Sequence, residues 1–245
     1  MVERTRFAHP FAPVKDTQKL RHGKQNRRIA AFFIPIPLAC DYRARFYYLC
    51  GVKAHWKPGT LIYPLPAVLV SCGATPDEYN LLTVAWTGTV CSDPPMCSIS
   101  VRPERHSYEL IRRTGEFVIN LTTRRLARAT DWCGVRSGRD YDKFREMGLT
   151  PLPGETVAAP IVAESPVNIE CRVRQTIPLG SHDLFLAEVT HVQVDEALID
   201  PATGKFHLEQ ADPIVYSHGE YYALGEALGH FGWSVRKRSG KPRRK

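Results

Sequence analysis

The stretch Ala67–Thr89, AVLVSCGATPDEYNLLTVAWTGT, decides the fold class. Ala67–Cys72 is a short apolar run of strand-forming residues. Gly73–Asn80 is turn chemistry, built from Gly, Pro, Asp and Asn. Leu82–Thr89 reads as the returning strand, so the whole is a β-hairpin or meander. Outward from it, Asp93-Pro94-Pro95 breaks the pattern and Met96–Arg102 alternates as a strand. Glu104–Arg113 has apolar residues at helical spacing and reads as a short helix ended by Gly115. Glu116–Leu121 is another strand, Thr123–Cys133 looks helical, and Asn168–Gln175, Phe185–Val194 and Ile214–Tyr216 supply later strands. Many short strands, few helices and frequent turn signals predict a mainly β, antiparallel barrel.

The charge is divided unevenly. The chain has 245 residues and a net charge of +8. Residues 1–53 carry +8, residues 54–235 carry −7 and residues 236–245 carry +7. Residues 1–55 show no sustained period and read as an irregular or disordered extension, with residues 1–52 dispensable. Residues 56–235 read as the folded domain and 236–245 as a basic tail. Basic tails meet RNA, DNA or anionic lipid, but no nucleic-acid-binding motif accompanies these, and solvated termini fit better. The seven cysteines are odd in number, scattered and without a C-x-x-C pair. That argues against a disulfide framework and a zinc site, and for a cytoplasmic setting. Ile29–Cys40 mimics a signal peptide, yet two prolines interrupt it, no A-x-A site follows, and it is too short to span a bilayer. No membrane or nucleic-acid partner is expected.

Four clusters carry candidate chemistry. The first is Asn80-Leu81-Leu82-Thr83-Val84-Ala85-Trp86-Thr87, which puts small, hydroxyl-bearing and aromatic residues where a flat ring needs a wall; taken alone, an ordinary core strand with a buried tryptophan explains it better. In the second, Ser98, Ser100 and Arg102 share one strand face, and Arg105-His106-Ser107 opens a helix. Free N–H groups, a hydroxyl and an arginine suit a phosphate; a polar strand face beside a solvated helix start is the alternative. The third is Ser137-Gly138 with Asp142-Lys143-Phe144, a loop lysine near a phosphate or simply a surface lysine. The fourth is Leu179–Phe185, where His182 at a strand start bonds a cofactor, serves as an acid, or is structural. Glycine-rich phosphate loops, G-x-S-x-G and H-E-x-x-H are absent from the sequence.

Taken together and in order, residues from about Gly59 to Trp233 resemble the flavoredoxin and flavin reductase family. The matching motifs are L-I-Y-P at Leu61–Pro64, Asn80, T-V-A-W at Thr83–Trp86, C-S-D-P-P at Cys91–Pro95 and S-I-S-V-R at Ser98–Arg102. E-F-V-I-N at Glu116–Asn120, Ser137-Gly138 and D-K-F at Asp142–Phe144 follow. P-V-N-I-E-C at Pro166–Cys171, G-S-H-D-L-F at Gly180–Phe185 and Y-Y-A-L-G-E-A-L-G at Tyr221–Gly229 close the series. The resemblance implies a Greek-key split β-barrel, an obligate homodimer and non-covalent FMN near the subunit interface. It implies flavin contacts from Asn80, Trp86, Ser107, Lys143 and His182, with an aromatic near Tyr216. Ser107 stands where relatives often carry threonine, and both termini depart from the family pattern.

The implied function is an FMN oxidoreductase that passes hydride or electrons from NADH or NADPH to free flavin or another acceptor. The alternative is a flavoredoxin-like electron carrier with no NAD(P)H activity of its own.

Overall fold

A computed structural model describes residues 53–236. Residues 1–52 and 237–245 lie outside it, and with them the expectations for the N-terminal extension and nearly all of the basic tail. The chain divides at Pro58 and Gly59 into two units. The described residues of the first, Lys53–Pro58, are exposed and have no regular structure.

The second unit is built on strands β1 (Leu65–Pro66), β2 (Val68–Cys72), β3 (Asn80–Val84), β4 (Thr87–Ser92), β5 (Pro95–Val101), β6 (Glu116–Leu121), β7 (Pro151–Leu152), β8 (Ile161–Val162), β9 (Val167–Pro178), β10 (Asp183–Val194), β11 (Ile214–Ser217) and β12 (Glu220–Ala223). Three short α-helices join them: α1 (His106–Thr114), α2 (Ala127–Val135) and α3 (Lys143–Met147). Seven strands form one antiparallel sheet in the order β3-β2-β6-β9-β10-β5-β4. A small sheet, β1-β11-β12, and the pair β7-β8 complete the set.

The patterning explains the layers. All five residues of β2 are buried, because the strand is covered on both faces. Val68, Val70 and Cys72 point into the main core with Ile99, Phe117 and Phe185. Leu69 points the other way, into a second core with Leu81, Leu126, Cys133 and Phe144. The period of two thus divides one apolar run between two cores. Each fully buried Leu or Phe contributes roughly 1.5–3 kcal/mol.

Leu82–Thr89 is not one strand. The chain bends at Ala85 and Trp86, so β3 and β4 lie at opposite ends of the seven-stranded order while only two residues separate them. The sheet therefore has to curl back on itself. No ladder between described residues joins β3 to β4, and a closed barrel is not found. The Ser100 N–H donates to the Trp86 carbonyl at 2.9 Å and holds the corner against β5.

Two buried polar networks fix the connections. The Asn120 amide donates to Leu69 O and Ser71 Oγ, and its Oδ1 accepts from Val162 N and Asn168 Nδ2. The fully buried Glu170 carboxylate accepts from Glu155 N, Thr156 N, Thr156 Oγ1 and Gln193 Nε2 at 2.6–3.0 Å. Burial raises its pKa, but these donors outweigh burial and hold the carboxyl below the usual range. The five described cysteines, Cys72, Cys91, Cys97, Cys133 and Cys171, are free thiols. Among the described residues no helix is long and apolar enough to cross a membrane, and no group of metal-ligating side chains is found.

Candidate functional site

The site begins where β3 meets the start of α1. Helix α1 buries Ser107, Tyr108, Leu110 and Ile111 on one face and ends at Gly115, whose φ of 68° needs a residue without a side chain. Its N-cap, Arg105, contributes no side-chain cap, so first-turn N–H groups are not taken by a capping side chain. The buried Asn80 Nδ2 donates to the buried Ser107 Oγ at 2.7 Å. Gly138 packs directly on the Asn80 amide, where any Cβ would collide with it. That contact explains the glycine in the Ser137-Gly138 pair.

Lys143 belongs to the same cluster but not as a surface loop lysine. It is the first residue of α3, after the Asp142 cap, and is 3% exposed. Its Nζ donates to Leu81 O at 2.8 Å and to Cys133 O at 2.7 Å. An ammonium has three donors, so one remains for another partner. Burial pushes its pKa down to about 8, and the Arg105 guanidinium adds to that. Burial also pushes the neighbouring thiols up, Cys72 to about 12 and Cys133 to about 11, which makes both inert.

A second group sits at the corner of the bent strand. Trp86 is 44% exposed and stacks on the His182 ring, with centroids 5.9 Å apart and planes 29° from parallel. His182 precedes β10 and its Nδ1 shares a hydrogen with Ser181 Oγ at 2.9 Å. Burial and the nearby Arg102 lower its pKa, which favours the neutral ring. Ser98, Ile99, Ser100, Val101 and Arg102 alternate outward and inward as a strand face should.

The turn Arg102–Ser107 connects the two groups. Arg102 pairs with Glu104 at 3.4 Å, Arg105 reaches Gly134 O at 3.4 Å, and Arg139 reaches Glu104 O at 3.1 Å. Three guanidinium groups thus gather on one turn. Burial, then Arg139 and Lys143, lower the pKa of His106. A cleft of about 870 Å³ opens alongside, lined by Tyr79, His106, Gly138, Arg139, Tyr141 and Phe144 among others. It touches the first group but reaches neither Trp86 nor His182.

The other expected contacts lie on neighbouring elements. The Thr83 hydroxyl donates to Thr130 O and faces α2. Ala85 forms the corner, and Thr87 pairs with Ile99 in the β4–β5 ladder. Tyr216 sits on β11 in an aromatic group with Tyr63 and Tyr221, at 6.1 and 5.7 Å, and has no ring contact with Trp86 or His182. Arg139 was not singled out from the sequence; its place beside Ser137-Gly138 was the available signal.

Residues 60–225 match the model of the flavin reductase like domain. The structure is similar to flavoredoxin of Desulfovibrio vulgaris (Miyazaki F), with 35% identity and a TM-score of 0.70, covering 76% of this chain and all of that one. Flavoredoxin from Methanosarcina acetivorans is similar at 26% identity and a TM-score of 0.69, again over 76% of this chain and all of that one. An uncharacterized protein of Pyrococcus abyssi is 33% identical over 129 residues, 53% of this chain and 73% of that one.

Proposed function

The chain belongs to the flavin reductase-like domain family, and from that premise we propose that it binds FMN as an oxidoreductase. In this reading hydride or electrons pass from NADH or NADPH to free flavin or a downstream acceptor. The observation that carries it is the pairing of two groups across one turn, Trp86 with His182 and Asn80 with Ser107.

These residues fit the group. The Ser107 hydroxyl, the uncapped first turn of α1 and the Arg102, Arg105 and Arg139 guanidiniums are donors of the kind a phosphate monoester needs. The exposed Trp86 face offers apolar contact to a flat ring. A neutral His182 accepts or donates one hydrogen bond without adding charge. The third Lys143 donor and Arg105 complete a positive field that favours a dianion. FMN, when bound, supplies hydride or electron transfer at its ring system, and the protein supplies position and electrostatics. FMN is preferred to FAD because the sequence lacks a dinucleotide glycine fingerprint. A homodimer in the cytoplasm completes the reading, with neither nucleic acid nor membrane as partner.

The likeness to two flavoredoxins favours a second reading, an electron carrier with no NAD(P)H activity of its own. One experiment tests both. The purified full chain is expected to be yellow, and acid release should yield FMN. Bleaching by NADH or NADPH supports the reductase; a flavin reduced only by an electron-donor protein supports the carrier. Absence of flavin binding refutes both.

A further inference from the structure

The turn Arg102–Ser107 is tied at both ends to one residue. Before the turn, Val101 is the ladder partner of Asp183, where β5 meets β10. After it, the Tyr108 hydroxyl donates to Asp183 Oδ2 at 2.6 Å. Asp183 therefore closes a ring that runs from β5 through the turn to α1 and back. A phenol donating to a carboxylate at this length is a strong hydrogen bond. The Tyr108 ring is buried and packs edge-on against the fully buried Phe185, with centroids 5.5 Å apart. That contact holds the ring without any help from the hydroxyl.

Each partner stands next to a residue of the candidate site. Ser107 precedes Tyr108 and is bonded to Asn80 on β3. His182 precedes Asp183 and stacks on Trp86; its carbonyl accepts from Leu179 N at 2.9 Å, which holds it from the hairpin side. The first turn of α1 is thus bonded to β3 through Ser107 and to β10 through Tyr108, strands that β2, β6 and β9 separate in the sheet. Inside the turn, Arg105 N donates to Arg102 O and Tyr108 N to Arg105 O, both at 3.0 Å. Arg102, Pro103, Glu104 and Arg105 are exposed, and an exposed turn of this kind is readily loosened.

We propose that Tyr108 and Asp183 are positioning residues whose bond pre-orders this turn relative to Trp86 and His182, and so makes the site select a phosphorylated flavin over an unphosphorylated one. The selection rests on the function proposed above; the bracing of the turn does not. A phosphate that meets a loose turn has to order it on binding, and that cost is subtracted from its affinity. Riboflavin carries the same ring without the phosphate and does not meet that cost. The bond therefore shows in the ratio of the two affinities, although neither the hydroxyl nor the carboxylate has to touch the ligand.

The test titrates the full chain with FMN and with riboflavin, in wild type, Tyr108→Phe, Asp183→Asn and Asp183→Ala. Tyr108→Phe keeps the ring in the core, so its melting temperature should change little. Its FMN affinity should fall about tenfold, with riboflavin affinity unchanged. Asp183→Asn retains an acceptor for the hydroxyl and should keep most of the preference; Asp183→Ala, equally uncharged, should lose it. In the Asp183→Ala background, Tyr108→Phe should cost nothing further. Equal weakening of both ligands, no change for either, or a full additional loss in that background would overturn the proposal. Hydrogen exchange on the flavin-free protein gives a separate reading, in which the peptide covering Arg102–Tyr108 should exchange about tenfold faster in Tyr108→Phe. Unchanged exchange would overturn the bracing. A wild type that binds neither ligand removes the functional reading and the selection with it, while the exchange rates still decide whether the pair holds the turn.

Discussion

Asn80 on β3 and Ser107 in the first turn of α1 share a buried hydrogen bond of 2.7 Å, the amide donating and the hydroxyl accepting. The bond ties one end of the sheet to the helix start that carries the candidate phosphate donors. Ser107→Ala removes the acceptor and leaves a buried N–H unpaired, which costs about 1–3 kcal/mol. Urea unfolding should show that loss, and flavin titration should show weaker binding. Ser107→Thr keeps the hydroxyl and should lose less on both counts. An unchanged urea midpoint for Ser107→Ala would deny the bond its role.

Lys143 should make stability rise with alkaline pH. Its pKa is 10.5 in the free side chain and about 8 when folded. Between those values the unfolded chain holds a proton that the folded chain does not, so unfolding becomes less favourable as pH rises. Below about pH 8 both states are protonated, and the full cost of a buried ammonium is present. Lys143→Met removes the titration while keeping bulk. The difference in unfolding free energy between wild type and variant should shift in favour of wild type from pH 8 to 10.5. A constant difference across that window would contradict the burial argument.

Trp86 is exposed, so Trp86→Ala should leave the melting temperature nearly unchanged. Its loss should weaken flavin binding roughly two- to tenfold, from about 0.5–1.5 kcal/mol of ring contact. Fluorescence titration with FMN measures this. A Trp86→Phe variant should recover most of the affinity, and equal affinity in all three proteins would place the ring elsewhere.

Glu170 predicts acid sensitivity. Its folded pKa is lowered, so its contribution is present above the unfolded value of 4.5 and lost as pH falls through the folded one. Glu170→Ala leaves Glu155 N, Thr156 N and Gln193 Nε2 without their acceptor and should cost about 3 kcal/mol or more. Glu170→Gln should cost less and flatten the acid limb of the stability curve. Chemical denaturation between pH 3 and 7, relative to wild type, checks both.

Much of the fold is legible because burial follows a simple period. Glu116–Leu121 is β6 as read, and Met96–Arg102, Phe185–Val194 and Ile214–Tyr216 fall within one or two residues of β5, β10 and β11. Beside the short strands β1, β7, β8 and β12, three features that bear on the site escaped. The corner at Ala85 and Trp86 carries neither Gly nor Pro, so the strand reads straight through. Helix α3 is five residues long, too short to show a period, although Asp142 caps it and Gly148 ends it with a φ of 62°. Lys143 looks like surface because its cover comes from Leu81 and Cys133, which are remote from it in sequence. In the candidate site, the pairing of Trp86 with His182 and of Asn80 with Ser107 depends on strand order, which no local pattern encodes.

The two-residue corner has a consequence for engineering. Because β3 and β4 are successive along the chain yet terminal in the sheet, that single link is the covalent clasp of the whole curl. Circular permutation that opens the chain between Ala85 and Trp86 would leave every ladder nominally intact while releasing both sheet ends at once. Such a permutant should let the two unpaired edges of β3 and β4 swing apart and tend to polymerise edge to edge. Opening the chain at the exposed Gly180 turn between β9 and β10 should leave the clasp shut.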